Sequence, residues 1–318
     1  MNARRGKRRA LLAAAFLAAG AGWSTGLPGP AAAAGGNPFV CDDLTSKREM
    51  LPREATARDL NFMLFEAVKG GCAELIGALL TAGASVEARD RFANTALVLA
   101  AAAGQDEAIA LLLDAGAKID HRNLAGSSAL LRAAMDNRRR TAVLLLERGA
   151  DANLANGQRL TALHAAAFNG NDKLAAALLA HGAAPDAVDT SGKSPAIYAA
   201  ARGYAEIVER LLAAGVDAKR RYGNDLTLLM WAAGHSNDTP RQDGLATLRL
   251  VLAAGAEIDA VDNRGWSALM IAAERGHGEA AELLLESGAD PGIADAQGRR
   301  AADLTSDTAL RDRLLAAR

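Results

Sequence analysis

This chain has little of what most chemistry needs. Two cysteines, five histidines and an aromatic share of 4% leave few side chains for catalysis, metal ligation or stacking on ligands. No CxxC, HExxH or paired metal-ligand spacing occurs, so a zinc site is not indicated. There is no phosphate-cradling glycine loop. The only G-x-S-x-G string, Gly22 to Gly26, has no strand before it and no helix after it, so it is no nucleophile elbow. No cofactor and no catalytic residue is implied, and the chain is expected not to be an enzyme. A basic surplus is missing too, which argues against nucleic acid as a partner.

What is present is apolar and small. Half of the 318 residues are hydrophobic, with alanine and leucine foremost, a composition that favours helices over strands. The first 34 residues stand apart. Arg4, Arg5, Lys7, Arg8 and Arg9 open the chain, an apolar run from Ala10 to Ala21 follows, and Ala31 to Ala34 offer an A-x-A cleavage site. A basic start, a short apolar stretch and small residues read together as a secretory leader, too short to span a bilayer comfortably. The arginine pairs leave the general and twin-arginine export routes both open. Cys41 follows Pro38, Phe39 and Val40, unlike a lipoprotein cleavage box. Without the five basic leader residues, 31 basic residues face 37 acidic ones, a net charge of −6. In an oxidising compartment, Cys41 and Cys72 read first as a disulfide and second as two small buried thiols.

The dominant signal is a repeat. Gly83, Gly116, Gly149, Gly182, Gly215, Gly255 and Gly288 are spaced 33, 33, 33, 33, 40 and 33 residues apart. This divides the chain into units 57–89, 90–122, 123–155, 156–188, 189–221, 222–261 and 262–294. Thr95, Ser128, Thr161, Ser194, Thr227 and Ser267 precede alanine-rich runs, where a hydroxyl satisfies the first backbone N–H groups of a helix. Pro195 stands at the first helical position, where proline is tolerated. These helices stop at Gly71, Gly104, Asn137, Gly170, Gly203 or Gly276, residue types that accept a left-handed conformation. Second helices carry leucine clusters such as Leu111 to Leu113 and Leu283 to Leu285. Polar stretches such as 151–158 and 186–193 lead to the next unit. Helices of about three turns are not stable alone, so stacking must supply the stability.

In these residues the chain resembles the ankyrin-repeat family. The segment 161–170, TALHAAAFNG, is similar to that family's T-P-L-H-x-A-A-x-x-G, and SPAIYAAARG, SALMIAAERGH and TALVLAAAAG follow it closely. LLLDAGAKID, LLLERGADAN and LLLESGADPG are similar to its second-helix ending. The resemblance implies an all-α ankyrin-repeat solenoid of helix-turn-helix units joined by extended β-turn fingers, over roughly residues 57 to 318. Leader 1–34 would precede an N-terminal capping segment 35–56, and 295–318 would form a C-terminal capping repeat. The motif proline survives only as Pro195 and its histidine as His164. Leu60, Ala93, Arg159 and Asp225 replace the turn glycine, which is expected to weaken those turns, most of all in the first unit.

In the repeat frame His164 and His277 occupy positions where the ankyrin motif places histidine, and the resemblance implies that they tie loops together by hydrogen bonds; His121 and His181 have no ligand partner at metal spacing. In the family, partners meet the turn tips and the concave side of the first helices. Carried onto this chain, those positions are Arg89, Arg91, Phe92, Asn94, Arg122, Met135, Asp136, Phe168, Asn169 and Lys193. Arg202, Arg221, Asn224, His235, Asn263, Arg264, Trp266 and Arg275 continue the row. Phe92, Phe168 and Trp266 stand where large apolar groups are not needed by the fold, so they read as interface anchors or as scattered surface hydrophobes. Trp231 and Tyr198 read as core. Unit six carries a seven-residue insertion around 235–244, and Arg138 to Arg140 form a charge run at a helix turn.

The resulting expectation is an exported, periplasmic or secreted monomer that binds another protein without chemistry of its own. It would serve as a scaffold or accessory protein; the alternative is an inhibitor or immunity protein that blocks a toxic enzyme. Neither nucleic acid nor, once the leader is cleaved, membrane is an expected partner. Amino-terminal sequencing of the exported protein is expected to begin just after Ala34; an intact Met1 on the mature chain would remove the leader reading.

Overall fold

A hydroxyl residue, a short alanine-rich run and a left-handed stop recur along the chain, and each recurrence folds as a helix pair. The computed structural model describes residues 37–50 and 55–317, so the expected leader lies outside the described residues. First helices span Ala57–Gly70, Ala96–Ala103, Ala129–Met135, Ala162–Phe168, Pro195–Ala200, Leu228–Ala233 and Ala268–Arg275. Their partners are Ala73–Thr81, Asp106–Asp114, Arg139–Glu147, Asp172–Ala180, Ala205–Ala213, Arg241–Ala253 and Gly278–Glu286. Each first helix packs on the next first helix and each second helix on the next second helix, giving two helical layers. No strand occurs among the described residues; two isolated bridges, Arg221 with Thr227 and Val261 with Ser267, close single fingers.

The local chemistry follows the sequence signals. Ser128, Thr227 and Ser267 accept the N–H groups of Leu131, Met230 and Met270 at 3.3 Å. Pro195 occupies the first turn of its helix. Asn137 stops the third unit's first helix with φ 54°, as a left-handed glycine does in every other unit but the sixth, where Gly234 has φ −100°.

Burial differs between the layers. First helices are enclosed nearly all round: every residue from Ala162 to Ala167 is buried, because helices flank it on both sides and one lies behind. Alanine permits that close approach. Second helices bury one stripe each, such as Leu174, Ala175 and Leu178, or Ile207, Val208 and Leu211. In the leucine triplets 111–113 and 283–285 only the middle member, Leu112 or Leu284, is buried, while in 144–146 both Leu145 and Leu146 are. Leu79, Leu112, Leu145, Leu178, Leu211, Val251 and Leu284 hold this one position through the stack, each 0% exposed.

One expectation needs correction. Leu60 is not a turn residue: unit one has no finger before it, and its first helix runs through that position for 14 residues. The capping box of Thr56 and Asp59 starts this helix in place of a turn. The unit-six insertion is helical in part. Arg241–Ala253 has 13 residues where the other second helices have nine, so much of the insertion is helix. The remaining turn is fixed: the Ser236 N–H donates to Ala201 O at 2.8 Å, and the His235 ring lies against Gly244, where a Cβ would meet it at 2.2 Å. At the other three substituted turn positions, Ala93, Arg159 and Asp225 adopt left-handed φ of 58°, 61° and 59°.

Both ends are covered. The helix Pro38–Glu49 buries none of its own residues, yet Cys41 is disulfide-bonded to Cys72 and the Asn37 N–H donates to Gly70 O at 3.1 Å. Gly70 makes the approach possible, since a Cβ there would meet Val40 Cγ1 at 3.0 Å. At the other end, Ala301–Leu304 and Thr308–Ala316 bury Leu310 and Leu314, and Arg311 donates to the carbonyls of Ala302 and Thr305.

The bond spans 31 residues, and on the chain-entropy model its loss removes about 3–4 kcal/mol. Reduction is therefore expected to release amide protection in Ala57–Gly70 while units four to six keep theirs, read by hydrogen exchange with and without reductant. Unchanged exchange in that helix would refute the clamp.

Candidate protein-binding surface

Between consecutive helix pairs the chain makes a finger, and one side chain organises most of them. Asp90, Asn156, Asp189, Asp262 and Asp295 each place Oδ1 where it accepts two backbone N–H groups, two and four residues on. Asn123 makes the second of these bonds, to the Ser127 N–H at 2.9 Å. Unit six puts Tyr222 there, and its turn is instead a 3-10 segment, Gly223–Asp225, with Asn224 also left-handed. Neighbouring tips are joined by backbone bonds: Leu124 N to Phe92 O, Gly157 N to Ala125 O, Thr190 N to Gln158 O, Asn263 N to Asn224 O and Ala296 N to Arg264 O. Fingers one to four, and again five to seven, are therefore cross-linked in rows instead of standing as independent loops.

Many of the positions expected to meet a partner also hold these rows together. Asn94 donates to Asp90 Oδ2 and accepts from Asn123 Nδ2 at 2.8 Å. Arg122 donates to Gly126 O and, at 2.6 Å, to Ala155 O one unit on. Asn169 reaches back to the carbonyls of Ala134 and Met135. Arg221 donates to Val261 O at 2.8 Å, and Asn263 bonds Asn224. Asp136 pairs with Arg132 at 3.0 Å, and burial raises its carboxyl above the usual range. Arg275 is half-buried beside Glu274.

Two positions are corrected outright. Trp266 is only 7% exposed: its Nε1 donates to Asp295 Oδ2 at 3.1 Å, and the guanidinium groups of Arg264 and Arg299 cover its ring. It braces the last two fingers. His235 is likewise buried, stacked on His277 with ring centroids 4.1 Å apart. His277 in turn bonds Ala233 O and Asn237 Oδ1, and burial lowers its pKa.

His164 ties loops as anticipated. Its Nδ1 accepts the Thr161 N–H, so Nε2 carries the proton and donates to Lys193 O at 3.2 Å. Burial lowers its pKa and keeps it neutral. Tyr198 and Trp231 are buried, as read from the sequence, and the Tyr198 hydroxyl donates to Asp189 Oδ2 at 2.6 Å.

What stays accessible is a smaller set. Arg91 stacks on Phe92, which is 53% exposed, and Arg89 stands beside them. Further along, Arg202 lies over the rings of Phe168 and Tyr204, while the Lys193 ammonium sits over Trp231. Burial lowers the pKa of that lysine, against the pull of Asp189. Phe62 and Leu124, 66% and 76% exposed, belong to this surface and escaped the sequence reading. The signal for Leu124 was a large apolar residue at a tip position where other units carry Arg91, Gly157, Thr190, Gly223, Asn263 or Ala296.

Among the described residues, no cluster of three His, Cys, Asp or Glu side chains is placed to hold a metal, and no helix is long and apolar enough to cross a membrane. Stacked helix pairs with a braced row of fingers define a protein–protein interaction scaffold. The model of the family described as ankyrin repeats matches residues 64–156, 130–222 and 210–295. Those stretches cover most of the chain, and the chain belongs to the ankyrin-repeat family, whose members are generally non-catalytic binding scaffolds. Among curated proteins no match was found.

Asp295 offers a test of the finger chemistry. Burial opposes its ionisation, but bonds from Arg299, the Gln297 N–H and Trp266 Nε1 prevail and hold its pKa down to about 2. A depressed carboxyl contributes stability above its unfolded pKa of about 4, and this is lost as pH falls towards 2. Asp295→Asn is expected to lower stability at neutral pH by about 1–3 kcal/mol and to flatten the acid limb, read by thermal unfolding across pH. An acid limb identical to wild type would contradict this.

Proposed function

We propose that this chain is an exported, non-catalytic scaffold or accessory protein that holds another protein against its finger tips and first helices in a periplasmic-type compartment. The observation that carries the reading is the cross-linked rows of fingers with arginine-covered aromatic rings left accessible upon them. A surface fixed before encounter loses little further conformational freedom on binding, so a shallow face can bind tightly. Arginine and aromatic side chains are also the commonest anchors of protein interfaces. Export is supported by the basic and apolar start of the sequence and by the Cys41–Cys72 bond, since disulfides persist in oxidising compartments. The protein acts as a monomer in this reading. An inhibitor or immunity protein would use the same surface, and differs in that the captured protein would be an enzyme silenced by binding.

Affinity capture from the exported fraction tests this. Wild type is expected to retain a partner that Phe92→Ala/Phe168→Ala/Arg202→Ala retains at least about tenfold less, with unchanged circular dichroism. Undiminished capture by the triple variant would sink the surface assignment. Activity of a captured enzyme with and without the chain separates scaffold from inhibitor.

A further inference from the structure

Exposed large apolar side chains are unevenly distributed. Among the described residues they are Phe39, Val40, Met50, Phe62, Phe92, Leu124 and Leu315, so six of seven precede residue 125. Three of them are adjacent on the binding face. Phe62 and Phe92 line one groove between the first helix of unit one and the first finger. The Leu124 N–H donates to Phe92 O at 3.0 Å, which sets that leucine on the neighbouring tip.

The charges around the groove are equally uneven. Arg58, Arg89 and Arg91 line it, and among the described residues no carboxylate pairs with any of them. The acidic groups of the same groove are already engaged: Asp90 by the N–H groups of its own turn and by Asn94, Glu66 by Lys69 at 2.7 Å. Elsewhere several arginines are matched between units, as in Arg140 with Asp106, Arg148 with Asp114 and Arg241 with Glu279, while exposed single ones such as Arg139 and Arg249 have no apolar groove beside them among the described residues. A positive, apolar groove thus stands on a chain that is otherwise net acidic past residue 34.

We infer that this groove takes an acidic polypeptide segment of the partner in which glutamate or aspartate alternates with apolar side chains. This rests on the protein-binding reading above. Guanidinium groups that no carboxylate pairs with among the described residues offer forked, charge-assisted bonds to carboxylates, and the exposed rings and leucine remove the intervening apolar side chains from water. The net acidic balance of the rest of the chain disfavours such a segment over most of the remaining surface, which favours the groove as its landing place.

The probe is a short fluorescein-labelled peptide of alternating glutamate and leucine, followed by anisotropy with the full exported chain. Binding is expected to weaken about tenfold or more when glutamine replaces glutamate, and to weaken as salt is raised. Arg89→Gln/Arg91→Gln and Phe62→Ala/Leu124→Ala should each lose a similar factor, while the exposed pair Arg139→Gln/Arg249→Gln should not. Absence of binding, equal binding of the glutamine peptide, or equal loss in the Arg139/Arg249 variant would overturn the inference. So would binding to phosphatidylglycerol vesicles, lost in Arg89→Gln/Arg91→Gln, without binding to the peptide. Each of those outcomes removes the acidic segment and leaves the scaffold reading to its own capture experiment.

Discussion

One buried side chain per unit, the middle leucine of the second helix, has no cover within its own helix pair. Leu112, Leu145 and Leu178 are fully enclosed in a stack where each second helix packs on the next. Helices of seven to nine residues lack the length to persist by their own hydrogen bonds, so burial between copies is what makes them helices at all. The strict period follows: a unit of another length would present its stripe to the wrong neighbour. Unit six keeps its place because its extra residues lengthen the second helix and fill a fixed turn, leaving Val251 in the leucine position.

Upon that constant frame, each finger reaches the same geometry by its own route. Most use an aspartate or asparagine to gather backbone N–H groups, yet unit six does without one. The fourth finger is held by the neutral imidazole of His164, the last two by the indole of Trp266. Such local variety is possible because the helical layers already fix where each finger begins and ends.

The frame was therefore legible and its exceptions were not. Period, helix caps and left-handed stops depend on residues close together in the sequence or repeated many times, and the pairing of Cys41 with Cys72 follows from there being only two cysteines. Trp266 was misjudged because its burial depends on Asp295 and Arg299 in the following unit, a contact that no other unit repeats. His235 was misjudged because its stacking partner, His277, lies across the only insertion. Leu60 was read as a turn because the frame was carried one unit too far towards the start, where a capping box begins a longer helix. Phe62 and Leu124 were overlooked for a different reason: exposure is the lack of a neighbour, and a sequence motif records neighbours.

The clamp at Cys41 has a consequence for how the stack comes apart. A linear array has only two places where loss of structure can start without breaking internal contacts on both sides, and those are its ends. A covalent bond closes one of them, whereas the helix Thr308–Ala316 at the other is held only by non-covalent contacts: packing, hydrogen bonds and the Arg313–Glu282 ion pair. Fraying is then directional, eating inward from the last unit, and the groove beside Phe62 and Phe92 is the final stretch it reaches.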